Sequence, residues 1–150
     1  MKMDTKMPRS WRALTGSLGG GYEEALSQGF VYKRRVWNGK EMLTTRQAAT
    51  QLGITTQTVS RRRRTYKMLG LDLEGEAGYR YPAWQFNNKV QFALPLILEE
   101  LSGIDNWGVY LFLVRREGLL HDQSPLQFLR KNKKHEVIRV IKMLRAADEL

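Results

Sequence analysis

The sequence predicts a mainly α-helical protein, a winged or MerR-like helix-turn-helix followed by a small C-terminal helical domain. Three observations predict it. Residues 43–66, LTTRQAATQLGITTQTVSRRRRTY, form two short amphipathic segments hinged at Gly53. Four consecutive arginines, Arg61, Arg62, Arg63 and Arg64, close the second segment. The charge is also lopsided: residues 1–70 hold 14 Lys and Arg against 4 Asp and Glu, whereas residues 71–150 hold 11 of each. The whole net charge of +10 therefore lies with the helix pair and what precedes it. That distribution joins a phosphate-binding half to an electrically neutral one.

Composition bounds the alternatives. One hundred and fifty residues make one ordinary domain, or two small ones sharing a core, and 42% hydrophobic content is enough to bury that core. With no cysteine, disulfides and thiolate metal sites are excluded, which is compatible with a reducing cytoplasm. No signal peptide is present and no apolar run approaches the roughly 18 residues of a membrane span. The expected location is the cytoplasm, at the nucleoid.

In the helix pair, Thr44 or Thr45 is placed to cap the first helix, and Ala48, Ala49 and Leu52 recur at helical spacing. Gly53 suits a helix end with positive φ. Ile54 follows as an apolar plug, and Thr55 or Thr56 caps the second helix, expected over 56–67. At 100° per residue, Val59 and Tyr66 share its inner face. Gln57, Arg61 and Arg64 lie opposite, with Ser60 bordering the polar face and Arg62 and Arg63 the apolar one. A recognition helix has this arrangement, because one face docks on its neighbour while the other offers Gln and Arg to base edges. Gln57, Ser60 and Arg61 are the candidate base contacts, with Thr56 at the start of the same helix among the DNA-binding candidates. Arg46, Arg62, Arg63, Arg64 and Arg80 are the candidate phosphate contacts.

Residues 1–21 read as a basic arm carrying Lys2, Lys6, Arg9 and Arg12 and ending in three glycines. A groove-tracking arm and a disordered terminus both fit. Residues 22–81 read as the DNA-binding domain. It opens with a helix from Tyr22 to about Val36, with acids in its first turn and bases in its last. It closes with a β-hairpin wing over 69–81, whose tip carries Glu74 and Glu76 and whose return strand carries Arg80. Residues 82–150 read as a helical interaction and dimerisation domain. Pro82 is expected to start a short helix over 83–87 that holds Trp84 and Phe86 in the core. Further helices are expected over 93–101 and 106–115, from a Ser124 cap followed by Pro125, and along the Val137, Ile138, Ile141 and Leu144 stripe.

Catalytic chemistry has no positive case. His121 and His135 lie in different segments without spaced ligand partners, so no metal and no cofactor is expected. The glycines at 19–21 lack the Lys-Ser/Thr of a phosphate loop.

Beyond this reading of the residues, the order of segments resembles bacterial proteins that join a helix-turn-helix to a domain of the Xre/MbcA/ParS antitoxin type. The resemblance is carried by LTTRQAATQLGITTQTVSRRRR, then GYRYPAWQF at 78–86, LPLILEEL at 94–101, a helix with Trp107 and FLV at 112–114, and SPLQFLRKNKKHEVIRVI at 124–141. It covers roughly residues 43–144. Lys131, Lys133 and Lys134 stand where that family has a short glycine-containing turn. The resemblance implies a cytoplasmic, dimeric DNA-binding protein that represses its own operon, and in many such systems the C-terminal domain blocks a toxin of the RES class. The expected function is thus a sequence-specific transcriptional regulator, an autoregulatory repressor acting as a homodimer on a palindromic operator in double-stranded DNA. The alternatives are an antitoxin binding a RES-type toxin, and a DNA-packaging or plasmid-partition adaptor.

Overall fold

The computed structural model describes residues 22–150, and the basic arm expected over 1–21 lies outside the described residues. The fold is mainly helical. Helix α1 (Tyr22–Trp37) leads into strand β1 (Met42–Thr44), then α2 (Thr45–Leu52) and α3 (Thr56–Arg64). Strand β2 (Arg80–Pro82) and a 3-10 helix (Ala83–Phe86) connect these to α4 (Asn88–Glu100), α5 (Asn106–Val114), α6 (Pro125–Arg130) and α7 (Lys134–Ala146).

The helix ends follow from side chains that satisfy unpaired amides. Thr44, one residue before α2, accepts from the Gln47 N–H at 3.1 Å, while the Gln47 Oε1 accepts from the Thr44 N–H at 2.8 Å. This reciprocal pair fixes where the helix begins. Gly53 ends it at φ 67, and Thr55 then caps α3 by accepting from the Thr58 N–H at 3.1 Å. Ala48 and Ala49 let α3 come close, and Val59 is fully buried between the two helices.

Helix α3 is shorter than its sequence pattern. It was expected to run to residue 67 with Tyr66 beside Val59 in the core, but it ends at Arg64. The Lys67 N–H donates to the Arg62 carbonyl at 2.8 Å and the Tyr66 N–H to the Arg63 carbonyl at 3.2 Å. These are the paired bonds of a Schellman ending, which requires left-handed backbone at the residue between. Tyr66 supplies it, at φ 59, and its ring is turned out to 68% exposure. Met68 fills the small core in its place, with Ala48, Ala49, Val59 and Tyr81.

The hairpin expected over 69–81 reduces to a single antiparallel bridge, Leu71 with Arg80, closed by two bonds of 2.8 Å. The return strand β2 pairs instead with β1, placing Met42 opposite Pro82, Leu43 opposite Tyr81 and Thr44 opposite Arg80. Residues 69–73 do not form a strand because side chains claim their backbone. The buried Gln85 amide donates to the Leu69 carbonyl at 2.8 Å and accepts from the Leu69 N–H at 2.9 Å. The Trp37 indole donates to the Leu71 carbonyl at 3.0 Å, and the Trp107 indole to the Asp72 carbonyl at 2.7 Å.

Pro82 closes β2 and is also the N-cap residue of the short helix expected over 83–87, which forms as the 3-10 helix Ala83–Phe86. Asn87 accepts from the Lys89 and Val90 N–H groups and so starts α4 five residues before the expected position. Helix α5 runs through the large core with Trp107 through Leu113 all buried. Gly108 is required there, since a Cβ would fall 2.7 Å from the capping Asp105 Oδ1 and 2.8 Å from Ile104. Ser124 and Gln127 repeat the reciprocal cap at α6, and α7 buries Val137, Val140, Ile141 and Leu144. The large core also takes Trp37, Leu69, Leu71 and Leu73 from before residue 82.

Two stability outcomes are expected. Gln85→Ala strands the Leu69 N–H and carbonyl in the core and should cost about 3 kcal/mol in urea unfolding. A wild-type midpoint would show the pair to be dispensable. Tyr66→Gly relieves a left-handed tyrosine and should raise stability by about 1 kcal/mol. A loss instead would mean that the ring makes contacts worth more than the backbone cost.

Candidate nucleic-acid interface

The candidate interface is the outer surface of α2 and α3. Residues 42–71 contain no Asp or Glu, so nothing in this stretch opposes a phosphate. Helix α3 has nine residues, and an α-helix about 10–12 Å across with its side chains fits a major groove about 12 Å wide. Thr56, Gln57, Arg61 and Arg64 are exposed along it, and Arg46 is exposed in the first turn of α2. Ser60 and Arg62 are half-buried at the margin. Among the described residues, no ion pair or hydrogen bond engages the guanidinium of Arg46, Arg61, Arg62 or Arg64.

Arg63 and Arg80 are arranged differently. The Arg63 guanidinium stacks 3.7 Å from the centroid of the Tyr79 ring, and its aliphatic stem packs against Gly70. A Cβ on Gly70 would fall 2.6 Å from the Arg63 Cδ, so Arg63 lies inward only because position 70 has no side chain. Its Nε is buried without a partner. The Arg80 guanidinium lies 4.0 Å from the Trp37 ring centroid. Both guanidinium groups, expected as phosphate contacts, lie on aromatic faces, where a weakly hydrated planar cation stacks well. Glu74 and Glu76 are exposed in the turn before β2, where they oppose any approach of that turn to a polyanion.

The sequence pattern also missed two exposed residues. Tyr66 and Lys67 follow α3 directly and extend its exposed surface. The Val59–Tyr66 spacing pointed to burial, and no glycine marks the left-handed position that ends the helix. Elsewhere, burial pushes the Tyr110 phenol up to about 12, with Tyr32 and Glu41 adding to the effect. Burial also raises Tyr32, against the opposing pull of Arg115 and Arg35. Among the described residues, no group of three or more His, Cys, Asp or Glu is placed to hold a metal ion, and no helix is long and apolar enough to cross a membrane.

No family model matches the chain, and no curated protein or solved structure does.

The split in the arginine run has a direct test. Arg63→Ala should lower unfolding stability by about 1–2 kcal/mol through lost stacking and packing. Arg64→Ala should leave stability unchanged and reduce the salt dependence of DNA binding by about one ion. Identical behaviour of the two variants would show that the stacking has no consequence.

Proposed function

We propose that this protein is a sequence-specific reader of double-stranded DNA that acts as a transcriptional regulator, with α3 in the major groove. The observation that carries the reading is the outer row Gln57, Arg61 and Arg64 on a capped helix whose inner side is fixed by buried Val59. Gln and Arg are the side chains that pair in two-bond fashion with adenine and guanine. Gln57 and Arg61 are assigned to base edges, with Thr56 and Ser60 beside them. Arg46, Arg62 and Arg64 are assigned to phosphates, which set register without reading sequence. A homodimer on a palindromic site is the accompanying proposal, since two-fold sites mirror two-fold proteins.

The experiment is selection of bound sequences from a random duplex pool at about 150 mM salt, which suppresses non-specific phosphate binding. Enrichment of a palindrome supports the reading and gives the half-site spacing. Binding without enrichment, and only at low salt, would reduce the arginines to a general polyanion grip. On the enriched site, Arg61→Ala should cost about 1–3 kcal/mol and relax preference at one base pair. An equal loss on scrambled DNA would reassign Arg61 to a phosphate.

A further inference from the structure

Helix α4 carries charges of the wrong sign at both ends. Lys89 is in its first turn, and Glu99 and Glu100 are in its last. A helix dipole is positive at the first turn and negative at the last, so all three charges oppose it. Glu100 stands 3.9 Å from the Lys142 Nζ, but among the described residues no ion pair engages Lys89 or Glu99. The stability of α4 alone does not account for these two.

The same face of α4 exposes two large apolar side chains. Phe92 is 74% exposed and Leu96 44%, while the opposite face buries Val90, Ala93, Leu94, Ile97 and Leu98. The Lys134 Nζ lies 4.6 Å from the Phe92 ring centroid and adds a cation to the N-terminal half of the face. At about 100° per residue, Lys89, Phe92, Leu96 and Glu99 fall within an arc of about 80°. Their order is symmetric about the level of Leu94, with a cation and an anion at the outer positions and apolar side chains at the inner ones. A two-fold axis across the helix at that level sets Lys89 against the second copy's Glu99 and Phe92 against the second copy's Leu96, each contact occurring twice. In that antiparallel arrangement Lys89 also lies beside the negative end of the second copy's helix and Glu99 beside its positive end. The outer face of α7 lacks this complementarity. It carries Ile138 and Met143 but also His135, Arg139 and Lys142, and two copies of it would bring like charges together.

We propose that α4 is the surface through which two copies of this chain associate, packed antiparallel with Phe92 and Leu96 at the centre and Lys89–Glu99 pairs at both ends. This names the interface of the homodimer proposed above, and its role on a palindromic site rests on the DNA-reading function. The association itself needs no DNA.

Sedimentation velocity of the full chain without DNA tests it. A contact of this size belongs to the small, transient class, so dimer should appear over about 10–100 µM. Lys89→Glu and Glu99→Lys should each raise the dissociation constant roughly tenfold, because each reversal places like charges together at both ends of the interface. Both changes suit the dipole of α4 better than the native charges, so neither is expected to unfold it. The double variant should return to within about threefold of the wild type. Positions 89 and 99 are about 15 Å apart along one helix, too far to pair within a chain, so this recovery reports contact between chains. A chain that stays monomeric up to ~500 µM, single variants that associate like the wild type, or a double variant no better than the singles would each overturn the interface. Failure of the duplex selection and failure of this association are separate results, since no DNA is present.

Discussion

The structure depends on how residues 69–73, shortly after the arginine-bearing helix α3, are held. Gln85 is almost fully buried and treats Leu69 as a strand neighbour would, donating to its carbonyl and accepting from its N–H. Trp37 from α1 and Trp107 from α5 hold Leu71 and Asp72 from two other directions, and Arg80 closes the bridge to Leu71. Each bond alone is modest in net terms, but a buried peptide group left without one costs more than the bond yields. The segment is thus fixed by four parts of the chain. Since α3 is covalently continuous with it, the orientation of the exposed arginines on the rest of the molecule is fixed as well.

That anchoring also explains why the arginine run is divided. A helix rotates 100° per residue, so four consecutive arginines cannot all face outward. Arg61 and Arg64 take the outer face and Arg62 the margin, while Arg63 is left on the side of Gly70, Tyr79 and Tyr81. A lysine there would offer a compact, strongly hydrated charge and stack less well, whereas a planar guanidinium covers an aromatic face at smaller desolvation cost. Gly70 provides the space for it. The same chemistry recurs at Arg80 over Trp37, so two of the cations serve as packing between the helix pair and its surroundings.

The two cores overlap in sequence because of the same segment. Met68 belongs to the small core under α2 and α3, and Leu69, one residue later, to the large one. At the bend after α3 these two consecutive side chains enter different cores, so one short stretch serves both. A change of conformation at the end of α3 is therefore felt in both cores without any long chain of intermediates.

Much of the fold was legible from local patterns, since the interactions responsible span only a few residues. Caps at Ser124 and at one of each threonine pair, 44/45 and 55/56, the left-handed Gly53, and the apolar stripes of α5 and α7 each depend on residues within about two helical turns. Gln57, Arg61 and Arg64 fell on one exposed face for the same reason, the helical repeat. Three features depended on contacts between distant residues: the pairing of β2 with β1, the loss of the hairpin and the inward turn of Arg63. The end of α3 at Arg64 is local, but no glycine marks its left-handed residue Tyr66. Gln85 and Leu69 are 16 residues apart, and Trp37 and Leu71 are 34 apart. Nothing in either local pattern announces the other, because a hydrogen bond formed across a core is chosen by the packing of whole elements and not by the period of one.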